Sequence, residues 1–104
     1  MDIAKKSYQL IKDFPKEERF GLSSQITKSA VSIPSNVAEG SSRTSEKDQK
    51  KFIEISLGSA FELETQLMIA ESINYGQKDL ILVLMKDIRE EQKMIVSFLS
   101  QLKP

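Results

Sequence analysis

The side chains able to do chemistry are few in this sequence, and their types are as telling as their positions. Its 104 residues include no cysteine and no histidine. Disulfides, thiolate nucleophiles and thiolate metal sites are thereby closed, as are the commonest general base and transition-metal ligand. Carboxylates, amides and cations remain. Glu39, Glu62 and Glu64 could meet inside a helical bundle, and three carboxylates without histidine suit only a hard cation such as Mg²⁺. Glu62 and Glu64 lie two apart and would point to different faces of a helix, so they cannot act as one unit. The preferred reading places Asn36, Glu39 and Glu62 in a polar core or interface, with Asn36 and Glu39 bonding across to the third helix and fixing helix order. There is no glycine-rich phosphate loop and no Glu-x-x-His pair. No metal and no cofactor is expected, and an enzyme lacks its parts.

The cations are more suggestive. Arg43, Lys47, Lys50 and Lys51 cluster against Glu46 and Asp48, a local charge of +2. Together with Lys28 they are the candidate phosphate contacts, although a solvated corner of mixed charge is the plainer meaning of such a run. The whole chain carries 15 basic and 15 acidic residues, divided as +3 over residues 1–51 and −3 over 52–104. A strongly cationic nucleic-acid binder looks different, so any contact with nucleic acid is expected to be local. Most of the seven aromatic residues fall on apolar stripes, which leaves Tyr8 and Tyr75, near helix ends, as the ones able to stack on a base.

Four helices must position these groups. Ile3, Ser7, Leu10, Ile11 and Phe14 recur at steps of three and four, which predicts a first helix over 2–14, stopped before Pro15. One further turn follows, with Phe20 and Leu22 expected to plug the end of the bundle. The second helix, from about Leu22 to Glu39, carries Leu22, Ile26, Ala30, Ile33 and Val37. It contains Pro34, which removes a backbone hydrogen bond, and Gly40 is read as its left-handed closing residue. Gln25, Ser29, Ser32, Asn36 and Gly40 form a seam of small and polar residues that reads first as close helix packing and second as a subunit or ligand surface.

Ser45 with Asp48 resembles a capping box at the start of the third helix, which runs to about Tyr75. Phe52, Ile53, Ser56, Ala60, Leu63, Leu67 and Ala70 make its apolar stripe, while Ile55, Phe61, Met68 and Ile69 fall off it. Gly58-Ser59-Ala60 is expected to mark a close helix crossing, and Gly76 to cap the helix end. The last helix, from Lys78 to Leu102, sets Ile81, Ile88, Ile95 and Leu102 at heptad spacing, with Glu91-Gln92 as one polar layer. The pattern is that of an all-α, up-down four-helix bundle forming a single domain over 1–104. Helices three and four are apolar on more faces than a lone bundle can bury, which predicts self-association.

Two blocks of this chain also resemble a known signature. The first runs Ser23-Ser24-Gln25-Ile26-Thr27-Lys28-Ser29-Ala30-Val31-Ser32 and on through Ile33 to Gly40. The second runs from Phe52-Ile53-Glu54-Ile55-Ser56-Leu57-Gly58-Ser59-Ala60 to Leu67. With their spacing they cover roughly residues 8–75, and they resemble the small bacterial four-helix-bundle proteins encoded in 23S rRNA intervening sequences. The resemblance implies ring-like homopentamers. One branch of the group works beside a reverse transcriptase as the accessory protein of diversity-generating retroelements, and binds nucleic acid through a basic surface. This chain departs from that branch in being neutral overall, and in having Lys28-Ser29 where Arg-Ala is frequent. The departure argues against strong nucleic-acid binding and leaves the expected fold untouched.

The expectation is therefore a non-enzymatic homo-oligomer that associates with RNA or a ribonucleoprotein through Lys28, Arg43, Lys47, Lys50 and Lys51. The alternative is a protein-binding scaffold without nucleic-acid affinity, using the small-residue seam or the acidic face of helix three. The N-terminal stretch lacks the apolar core of a signal peptide, and the longest uncharged run, 29–38, is far short of a membrane span. A cytoplasmic protein with no membrane contact is expected.

Overall fold

The computed structural model describes residues 2–102. Its helices are α1 (Asp2–Ile11), α2 (Leu22–Ser41), α3 (Glu46–Ser72) and α4 (Lys78–Gln101), with a 3-10 turn, Lys16–Glu18, between the first two. The all-α bundle expected from the hydrophobic periodicity is the fold. α2 and α3 share the broadest contact, α4 packs on α3, and α1 closes the bundle against α2 and α4. The helices lie along one axis in a body of 44 × 23 × 18 Å.

The apolar stripes meet in one core. Leu10, Ile26, Leu63, Leu67, Ile81, Leu84 and Ile88 are fully buried, with Ala30, Ile33, Ala60 and Ala70 between them. α1 ends at Ile11, a turn before the expected stop, because Pro15 disfavours helical geometry at Phe14. Phe14 instead turns inward against the Tyr75 ring, 5.5 Å between centroids. Lys6 pairs with Asp87 and ties α1 to α4; that hydrogen bond holds the ammonium pKa above its ordinary value.

Pro34 is accommodated inside an unbroken α2. It cannot donate to the Ala30 carbonyl. One residue before it, the Ile33 carbonyl accepts a bond of 2.9 Å from the buried Ser56 hydroxyl, which fastens this weakened turn to α3. At the start of α3, Ser45 Oγ accepts the Asp48 N–H at 3.1 Å, the expected cap.

Four expectations need correction. Gly40 does not close α2 in a left-handed conformation. It is helical and buried, and a Cβ there would lie 3.2 Å from Ile53 Cδ1 and 3.3 Å from the Gln49 carbonyl, so it lets α3 approach. Gly58, by contrast, marks no crossing: nothing lies within 4 Å of where its Cβ would be. The crossing belongs to its neighbours Ser59 and Ala60, both buried. The left-handed residue that ends α3 is Asn74 (φ 61°), with Tyr75 N–H bonded back to the Ala70 carbonyl at 2.9 Å. Gly76, also left-handed, follows two residues later, where a side chain would strike Leu10 and Phe14. Phe20, finally, plugs nothing and is 91 % exposed.

Candidate nucleic-acid interface

The α2–α3 corner carries four of the five candidate cations, and their environments differ. Arg43 is held in place. Its guanidinium donates to Glu39 Oε2 at 2.9 Å, lies 4.9 Å from the centre of the Phe52 ring, and its carbonyl accepts from Gln49 Nε2 at 3.0 Å. Part of its charge is thus offset locally, in an exposed i,i+4 pair. Lys47, Lys50 and Lys51 fall on one side of the opening turns of α3, three and four residues apart. Among the described residues none of the three has an ion-pair partner. Cations in the first turns oppose the helix dipole, so helix stability does not explain them.

Lys28 stands apart. It lies near the other end of α2, about 20 Å along the helix from the corner at 1.5 Å per residue. There it borders a shallow hollow with Tyr8, Thr27, Val31 and Ser32. The structure thus brings Arg43, Lys47, Lys50 and Lys51 together and places Lys28 with a different group.

The polar residues separate in the same way. Asn36 does reach toward α3, through an intermediary: its Nδ2 donates to Ser32 Oγ at 2.9 Å and to the Ser32 carbonyl at 2.8 Å, and Ser32 Oγ bonds Ser59 Oγ of α3 at 2.7 Å. Glu39 turns to Arg43 and makes no bond to α3, because it lies beyond the seam on the exposed side. Glu62 is exposed on α3 with no bonded partner among the described residues. Of the three glutamates Glu39, Glu62 and Glu64, the one that crosses to another helix is Glu64. It accepts from Gln92 Nε2 at 3.1 Å and from Arg89 Nε at 3.0 Å. The Gln92 bond first, and the Arg89 bond and charge second, hold the Glu64 carboxyl below its ordinary pKa. Among the described residues no three acidic side chains gather as a metal site.

Sequence reasoning passed over a second basic region, around Lys16, Arg19 and Phe20 at the start of α2. The signal was present: Arg19-Phe20-Gly21 puts a large ring in a charged stretch with no apolar neighbours at helical spacing.

Comparison with known proteins bears on this geometry. The chain matches the family model described as 23S rRNA-intervening sequence protein over residues 1–97. Among solved structures it is similar to a crystal structure from Bacteroides thetaiotaomicron, a protein with unknown function from the S23 ribosomal protein family. The TM-score is 0.76 at 22 % identity, covering 93 % of this chain and 97 % of that chain. That likeness supports the fold. No curated protein is a significant match.

Proposed function

The chain belongs to the 23S rRNA-intervening sequence protein family, and we propose that it acts in the cytoplasm without catalysis, as a self-associating helical bundle that docks on RNA or a ribonucleoprotein. The observation that carries the RNA reading is the triad Lys47, Lys50 and Lys51, three cations on one side of a helix start with no carboxylate partner among the described residues. Phosphates would satisfy both the cations and the positive end of the helix dipole. Self-association is supported by the apolar side chains left in water on α3 and α4, including Phe61, Met68, Leu82, Val96 and Phe98. A ring of five is the form the family resemblance implies, and symmetry would repeat the corner around it.

The test is a titration of structured RNA at low and near-physiological salt. Replacing Lys47, Lys50 and Lys51 by Ala together should weaken binding and reduce the salt slope by roughly one for each lysine that meets a phosphate. Unchanged affinity and slope would sink the RNA assignment. A protein partner is the second reading, favoured by the same exposed apolar side chains. Most of the small-residue seam is already occupied, since Ser29 is buried, Gly40 packs on Ile53 and Gln49 of α3, and Ser32 is bonded to Ser59. A pull-down recovering one protein after nuclease treatment would favour this reading.

A further inference from the structure

At the amino-terminal end of α2 the connection from α1 folds around an open cleft of about 660 Å³. Three cations line it, Lys12, Lys16 and Arg19, and no carboxylate does. Among the described residues none of the three is ion-paired. Beside them stands Phe20, 91 % exposed. A ring of that size left in water forgoes about 1.5–3 kcal/mol of burial, so its position calls for something to cover it. The Arg19 guanidinium lies 5.7 Å from its centre. The first turn of α2 forms another wall, with the hydroxyl-bearing Ser23 and Ser24 on it. Thr27 joins this cleft to the hollow where Lys28 sits beside Tyr8, itself half exposed.

We propose that this cleft binds a single-stranded segment of RNA, with a base stacked on Phe20 and the flanking phosphates on Lys12, Lys16 and Arg19. The strand continues past Thr27 toward Lys28 and Tyr8. The inference deepens the RNA reading given above and rests on it. Aromatic faces interleaved with cations are what binders of single strands use, because every base has a π face to offer and the backbone supplies the charge. An exposed ring cannot stack on a base that is already paired and stacked, so a duplex is the wrong ligand for this site. An acidic peptide without an apolar side chain would satisfy the cations and leave Phe20 uncovered. The α2–α3 corner has cations and no such ring, since Phe52 is half-buried as well as covered by Arg43. The two ends of α2 therefore suit different forms of RNA.

The test is fluorescence anisotropy with labelled oligouridine and with duplex RNA, on the full chain at low salt. Phe20→Ala should weaken oligouridine binding by roughly 5- to 100-fold, the range for loss of one stack, and leave duplex binding unchanged. Phe20→Tyr should restore it. Because Phe20 packs against so little, its variants should melt with the parent, which circular dichroism checks. The triple lysine-to-alanine variant at the corner should do the converse, reducing duplex binding more than oligouridine binding. If Phe20→Ala binds oligouridine as the parent does while the corner variant loses RNA, the cleft assignment falls and the RNA reading stands. If the parent binds neither RNA at low salt, both fall.

Discussion

The two faces of α3 are built from similar residues and meet opposite ends. Inward, Ser56, Ser59, Ala60, Leu63 and Leu67 are buried. Outward, Ile55, Phe61, Met68 and Ile69 are about half exposed around a glycine with open space above it. What distinguishes them is direction. On the inner face, hydroxyls bond to named partners on α2, Ser56 to the Ile33 carbonyl and Ser59 to Ser32, and these bonds allow one register only. On the outer face no such bond to another helix is made: Thr65 bonds back to the Phe61 carbonyl, and Glu62 has no bonded partner among the described residues. The apolar side chains there stay open to a partner that arrives after folding. The difference separates two roles: the inner face makes the protomer, and the outer face is the surface that the proposed self-association would cover.

Core truncation should break this contrast hardest if it is wrong. Leu63 is fully buried, so Leu63→Ala should cost about 2–5 kcal/mol, read by denaturant unfolding. Met68→Lys and Ile69→Lys should each change protomer stability by less than about 0.5 kcal/mol, as surface substitutions do, while reducing the assembled fraction in light scattering. Losses as large as that of Leu63→Ala in the dilute protein would show that the outer face belongs to the core after all. Ser56→Ala comes next. Removing one buried hydroxyl bond should cost about 1 kcal/mol, with little change in assembly.

One substitution placed at two glycines sharpens the same contrast. Gly58→Ala meets nothing and relieves a helix-interior glycine, so the protomer should gain about 0.5–1 kcal/mol. Gly40→Ala would bring the same propensity gain, but its methyl would press on a backbone carbonyl, Gln49, as well as on Ile53. It should show no gain. Equal stabilisation of both in thermal melts would mean that the seam is looser than its distances say.

These glycines also show how far the sequence could be read. Periodicity placed every helix, because apolar stripes at 3.6-residue spacing are long and redundant: of the expected core residues, Ile33, Ile53, Ala60, Leu63 and Leu67 are buried, while Val37 is only half-buried. A glycine has no such redundancy. Gly40 and Gly58 both sit at helical spacing among small residues, and only the partner helix decides which is crowded. The same limit applies to polar residues. Gln92 falls where an apolar residue would continue the heptad, so a polar layer was legible, but its partner on α3 was not. That partner is Glu64, one turn from the Ala60 carbonyl that also faces the Gln92 amide. Phe20 reads as a plug from its size alone, although Lys16, Glu17, Ser23 and Ser24 at steps of three and four give it no apolar stripe to join. Whether the cations at either end of α2 touch RNA is a question of partner chemistry, on which spacing is silent.

Glu64 lies on the border between the two faces, and it supplies the smallest effect. Its side chain is 20 % exposed and bonds Gln92 and Arg89 of α4. Folding holds its carboxyl pKa below the ordinary value of 4.5, so the folded state favours the ionised form. The sign follows from linkage. The stabilisation is complete above the unfolded value and is lost as pH falls through the depressed folded value. Glu64→Gln keeps an acceptor for the Gln92 amide and removes the charge. The stability difference between parent and variant should therefore be constant well above the ordinary value of 4.5 and shrink as pH falls through and below it. Its size should stay below about 1 kcal/mol, because Arg89 is 59 % exposed and water screens the pair. A difference that does not change over this range would mean that the carboxylate gains nothing at the border. Its bond to Gln92 would then be one any amide makes equally well, and the α3–α4 contact would rest on its apolar layers alone.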